Sequence, residues 1–171
     1  LQSTDGFIYN DDNRPIRIVS DKLRMVEEWV RGLGEPVILV SAWTEAIEQL
    51  AEIFRDEWPA VLSGSTADPS NEISRFKSGQ TRILIANAGF SKGMNLQKVC
   101  RIIGFLSVSS KPDDYQQMRG RVARPGQKDG VQIVHFHCKG TMDARRLELV
   151  RAHGQCSETF INKLLEEELE K

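Results

Sequence analysis

Short apolar runs alternating with segments of helical periodicity constrain this chain more than any other feature of its sequence. The runs 37–40, 82–86, 99–105 and 131–136 are rich in Val, Ile and Leu and nearly continuous. A strand with apolar residues on both sides is buried on both faces. A shorter run, 60–62, reads as a fifth strand. Leu23, Val26, Val30 and Leu33 repeat at helical spacing over 22–33, with Asp21 as N-cap and Gly34 as stop. Thr44 caps a second helix that carries Ile47, Leu50, Ala51 and Phe54 on one side. Asp68 and Pro69 pair a cap with a first-turn proline and open a helix to about Lys77. Pro112, Asp113 and Asp114 suit the first turn of a further helix, where carboxylates favour the positive end of the dipole. Thr141 opens a helix to about 152, and Ser157 a last one rich in Leu and Glu. The pattern predicts a single α/β domain with a mainly parallel β-sheet covered by helices on both faces. Its functional loops are expected at the carboxyl ends of the strands.

The length of 171 residues suits one domain. A lead-in segment over 1–20, with a turn at Asp11-Asp12-Asn13 and a hairpin, precedes the main domain over 21–152; a C-terminal helix occupies 153–171. Leu1 is not a start methionine, so the chain reads as a piece of a longer protein. No apolar run approaches the roughly 18 residues that span a bilayer, so no membrane partner is expected. Three cysteines without CxxC spacing point to a reducing, cytoplasmic setting, that of a host cell if the protein is viral. The net charge of −1 announces no partner, but residues 75–128 carry eleven bases against two acids. A basic middle in a neutral chain suggests one face that meets phosphate.

Within that segment, Gln117-Met118-Arg119-Gly120-Arg121-Val122-Ala123-Arg124 fits Q-x-x-G-R-x-x-R. Its four fixed positions arise by chance about once in a thousand chains of this size. On a continuous helix Gln117, Arg121 and Arg124 share one side. Two guanidiniums so placed reach a triphosphate together, and arginine suits the charge that builds on a transferring phosphoryl group. A finger supplied from outside the phosphate cradle raises the rate roughly a thousandfold or more.

This pattern resembles motif VI of superfamily 2 helicases. Its continuation, Arg124-Pro125-Gly126-Gln127, resembles the R-x-G-Q ending of Swi/Snf-type members. Residues 86–96, with Gly93-Met94-Asn95-Leu96, resemble motif V; 37–43 resemble motif IV; Lys139-Gly140-Thr141 resembles a Swi/Snf-type K-G-T. Asn87 stands where many helicases have Thr, and Ala123 where Swi/Snf-type proteins often have His. The resemblance implies a C-terminal RecA-like lobe (helicase C domain) of a Swi/Snf-type helicase-like ATPase, of phage or bacterial kind. It implies Arg121, Arg124 and Gln117 as catalytic, and Gly93, Asn95, Arg121 and Arg124 as nucleotide-binding. Ser41, Trp43, Ser63, Gly64, Asn87 and Lys92 are implied as nucleic-acid contacts. The cofactor is ATP with Mg2+, and the partners are an N-terminal RecA-like lobe and DNA, with RNA the lesser choice.

No G-x-x-x-x-G-K-[ST] and no D-E-x-[DH] occur in the chain, so it is expected to be inactive by itself. Alternatives are a DEAD-box-like RNA helicase lobe and a non-enzymatic nucleic-acid-binding module. Trp43 could equally be a core residue, and 63–65 a plain turn. A zinc site from His135, His137, Cys138, His153 and Cys156 lacks any strong ligand spacing, so no metal ligands are assigned.

Overall fold

The structure is a computed structural model that describes residues 5–91, 94–108, 112–123, 127 and 129–153. The expected hairpin is present: β1 (Phe7–Tyr9) pairs antiparallel with β2 (Pro15–Arg17). There follow α1 (Asp21–Arg31), β3 (Val37–Ser41), α2 (Thr44–Ile53), β4 (Ala60–Leu62), α3 (Pro69–Lys77) and β5 (Ile83–Asn87). β6 (Ile102–Phe105), α4 (Pro112–Arg119), β7 (Gln132–His135) and α5 (Met142–His153) complete the described elements. The main sheet is parallel, in the order β4-β5-β3-β6-β7.

The near-continuous apolar runs are explained by helices on both faces. Ile38, Val40, Leu84, Ala86, Ile103 and Phe105 point to one side, where Phe76 of α3, Tyr115 and Met118 of α4 and Leu147 of α5 cover them. Val37, Leu39, Ile83, Ile85 and Ile102 point to the other, under α1 and α2. Alternate residues of one strand thus enter two different cores.

Several boundaries differ from the sequence reading. Ser20, not Asp21, caps α1: its hydroxyl accepts from the Leu23 amide at 3.3 Å, which leaves Asp21 in the first turn. The helix stops at Gly32, whose amide reaches the Glu28 carbonyl, before Gly34. Thr44 lies inside α2, and the cap position is Trp43, which makes no side-chain cap bond. β6 starts at Ile102 because the Val99 and Cys100 amides both fold back on the Leu96 carbonyl at 3.0 Å. The Ser157 helix lies outside the described residues.

Candidate nucleotide and nucleic-acid site

The site is assembled at the carboxyl ends of β3, β5 and β6. Asn87 ends β5 and turns the chain, its Oδ1 accepting from the Gly89 amide at 3.0 Å. Its Nδ2 donates to the Ala42 carbonyl, just beyond β3, at 3.2 Å. On the other flank the hydroxyls of Ser41 and Ser107 lie 3.0 Å apart. Ser107 Oγ also accepts from the Ala42 amide at 2.9 Å, and Ser41 Oγ from the Trp43 amide at 3.1 Å. Three neighbouring strand ends are thereby laced together by bonds to buried or half-buried groups. Bonds in such surroundings are strong, and leaving one unmade costs about 1–3 kcal/mol.

The loop after β5 then returns to the core. Met94 and Leu96 are fully buried, and Asn95 between them is exposed. The Leu96 amide donates to the Arg121 carbonyl at 3.3 Å, so the backbones of the motif V and motif VI segments touch. Met118 and Val122 are fully buried on either side of half-buried Arg121. Arg121 and Asn95 are therefore held near one another by apolar anchors one residue or a few residues away.

Gln117 and Arg121, expected on one helical side with Arg124, do not lie on one continuous helix. α4 ends at Arg119, and the chain passes through a turn at Gly120. The Arg121 amide bonds the Met118 carbonyl at 3.1 Å, and Val122 that of Arg119 at 3.2 Å. Glycine is the poorest helix former apart from proline, which favours release of the helix there. Gln117 is exposed on α4 itself. Arg124, Lys92 and Gly93 lie outside the described residues.

The nucleic-acid candidates divide. Ser41 is fully buried, so it shapes the loop and is not a surface contact. Ser63 is nearly buried, its hydroxyl 2.9 Å from that of Ser65, while Gly64 is exposed. Asn87 is half-buried within the strand-end lacing. Trp43 is half-buried against the α1–α2 core, edge-to-face with Phe7 and 5.6 Å beneath the Arg146 guanidinium. Its setting is the packed one.

Among the described residues of the basic segment, three arginines are paired with glutamates. Arg75 pairs with Glu72, Arg82 with Glu57 and Arg101 with Glu35. Arg82 and Arg101 precede β5 and β6, at the amino ends of the strands and away from the site. Arg119, within motif VI, has no carboxylate partner among the described residues; its guanidinium lies 5.5 Å over the Tyr115 ring.

For the zinc alternative, β7 ends at His135, so His137 does not share a strand face with it. His135 instead stacks on Phe105, and its Nε2 lies 3.0 Å from the Tyr115 hydroxyl. No group of three metal-ligating side chains occurs among the described residues. No described helix is long and apolar enough to cross a membrane. The sequence reading missed Ser107 and Tyr115, and weighed His135 only as a zinc ligand. Ser107 had a usable signal, since it directly follows a strand run at the end where ligand loops collect.

Residues 21–126, more than half of the chain, match the helicase conserved C-terminal domain family, Helicase_C. The chain belongs to that family. It is 35% identical over 98 residues to "ATP-dependent RNA helicase DBP8" of Lodderomyces elongisporus, covering 57% of this chain and 19% of that protein. It is 29% identical over 136 residues to "Probable ATP-dependent RNA helicase DDX17" of Mus musculus, covering 78% of this chain and 20% of the relative. The chain thus spans about a fifth of the length of these curated relatives.

Among solved structures, the C-terminal part of the Fun30 ATPase domain superposes with a TM-score of 0.67 at 22% identity, covering 84% of this chain and 47% of that one. The C-terminal domain of the DEAD-box protein Dbp5 gives 0.63 at 21%, covering 81% of each. The fold of this helicase C domain is the RecA-like α/β fold. Both relatives named are described as RNA helicases, and they do not support the expected Swi/Snf-type, phage or bacterial DNA translocase.

Proposed function

We propose that this helicase C domain is the second motor lobe of a DEAD-box-like, ATP-dependent RNA helicase. In this reading it supplies Arg121 and Arg124 to a nucleotide held mainly by an N-terminal lobe. The observation that carries it is the Leu96–Arg121 backbone bond, which fixes the motif V loop against the turn bearing the motif VI arginine. The residues suit an anionic ligand: a half-buried guanidinium cannot lose its charge, and the exposed amide of Asn95 lies on the loop beside it. ATP with Mg2+ supplies the phosphoryl group and its neutralising cation when bound. On this side of the cleft, Arg121 and Arg124 would meet charge on the terminal phosphate, and Gly93 and Asn95 would line the approach. Gln117, exposed one turn earlier, would bond across to the other lobe.

RNA would contact Gly64, Asn87 and Lys92, mainly through phosphate and hence with sensitivity to salt. A cytoplasmic setting accords with three cysteines that lack CxxC spacing. The second reading, a DNA translocase, draws on Arg124-Pro125-Gly126-Gln127. Gln127, however, also has a structural task, donating from Nε2 to the Cys100 carbonyl at 3.2 Å.

The test is ATP turnover of the full-length protein with single-stranded RNA or duplex DNA as stimulator. Arg121→Ala and Arg124→Ala should each lower RNA-stimulated turnover by roughly a thousandfold. Wild-type turnover in both variants rejects the arginine roles, and stimulation by duplex DNA alone rejects RNA.

A further inference from the structure

The motif VI arginine sits in a turn, so something else must set the angle at which that turn leaves the sheet. We propose that Tyr115 and His135 are positioning residues for Arg121, acting as a polar pin between α4 and the edge strand β7. This rests on the reading of Arg121 as a finger toward the nucleotide.

Tyr115 lies three residues before Met118 and six before Arg121, on the inner side of α4. It is 4% exposed, and its ring lies 4.9 Å from that of Phe105. Its hydroxyl meets His135 Nε2 at 3.0 Å, and His135 lies flat on Phe105, with ring centroids 5.3 Å apart and planes 10° from parallel. Phe105 and His135 end adjacent strands and are register partners, so the pin is anchored in the sheet and not in a loop. The Arg119 guanidinium lies 5.5 Å over the same ring.

Apolar packing alone leaves a helix some freedom to rotate about its axis, because dispersion contacts are non-directional. A hydrogen bond from a ring that is itself wedged against Phe105 removes that freedom. Arg121 follows α4 by two residues, through a turn tied to Met118 and Arg119 carbonyls. Rotation of α4 would therefore swing the Arg121 side chain directly. Misplacement of a catalytic group by about 1 Å can cost about a hundredfold in rate. A neutral imidazole accepts a hydrogen bond from the tyrosine hydroxyl and an imidazolium donates one to the tyrosine oxygen, so the pin holds in either state.

The experiment uses full-length protein with saturating single-stranded RNA. Tyr115→Phe keeps the ring and removes the bond. His135→Gln and His135→Leu both remove the stacked ring, but only Gln keeps a polar group at the right reach. Steady-state ATP turnover and the affinities for ADP and for ADP with aluminium fluoride are measured for each, with thermal melting as a check on folding. The expected result is a kcat about tenfold lower in Tyr115→Phe and His135→Leu, with KM and ADP affinity unchanged. The aluminium fluoride complex should weaken in parallel, and His135→Gln should recover most of the loss. The double variant Tyr115→Phe with His135→Leu should be no worse than either alone.

Unchanged kcat in both, additive losses, or losses that track melting temperature and ADP affinity overturn the pin. Arg121→Ala is run beside them. If it is silent, the finger reading fails. If it abolishes turnover while Tyr115→Phe is silent, the finger stands and the pin alone is rejected.

Discussion

At the scale of single residues, burial decides roles that residue type leaves open. Gly104 in β6 is one case: a Cβ there would meet Trp29 at 2.9 Å and Leu39 and Phe136 at 3.2 Å. These are side chains of a packed core, so Gly104→Ala should destabilise the lobe by about 1–3 kcal/mol, read by urea denaturation. Cys100 is another. Burial pushes its thiol from an ordinary value near 9 up to about 12, so the folded chain keeps a proton that the unfolded chain gives up. Its contribution to stability is full below pH 9 and falls as pH rises through about 12. Thiol labelling at pH about 8.5 should therefore modify half-buried Cys138 and spare Cys100 until the protein unfolds. Ser41 carried the right type and position for a phosphate contact, yet it is wholly buried against Ser107. Nothing in a run of Val-Ile-Leu-Val-Ser tells whether the last side chain meets water or a neighbouring strand.

At the scale of elements, local signals were legible where they act within one turn. α3 begins at Pro69 and ends at Lys77 as expected, because Asp68 caps it by accepting from the Asn71 amide at 3.0 Å. Asp68→Ala should cost about 1 kcal/mol, measured as a shift in the denaturation midpoint. Boundaries failed where a distant group competes. β6 begins three residues later than its apolar run because Leu96, held in the core, gathers the Val99 and Cys100 amides. α4 releases its arginine into a turn at Gly120, and the Arg121 carbonyl is taken by Leu96 of another segment. Ser107→Ala removes a bond to Ser41 and one to the Ala42 amide, both at the strand ends. A loss of about 1–3 kcal/mol and a weaker RNA stimulation of turnover are expected in the full-length protein.

At the scale of the whole molecule, the N-terminal hairpin, α1 and α5 meet at one buried ionic centre. Lys22 Nζ lies 2.6 Å from Asp5 and 2.7 Å from Asp143, with all three side chains at most 10% exposed. Burial pushes the Asp5 carboxyl above its usual range, against the pull of Lys22. Beside it, Gly6 adopts φ of +84°, and a Cβ there would fall 2.3 Å from Leu23 Cδ1. Lys22→Met should cost about 3–5 kcal/mol in denaturant, because it removes the cation shared by two buried carboxylates. Phe7 is buried in the α1–α2 core, so loosening this centre should also raise proteolysis of the hairpin.

The sequence by itself determined the α/β class, the two-faced burial of the strands and the motifs that mark a helicase C domain. All of these depend on periodicity or on spacing within a short stretch of chain. Only the tertiary structure decided which charges stay available. Arg75, Arg82 and Arg101 looked like part of one basic surface, and folding pairs each with a glutamate. Only it decided, too, that Tyr115 meets His135 twenty residues away. Partners chosen across the sheet follow from strand order, and no local pattern of residues encodes that order.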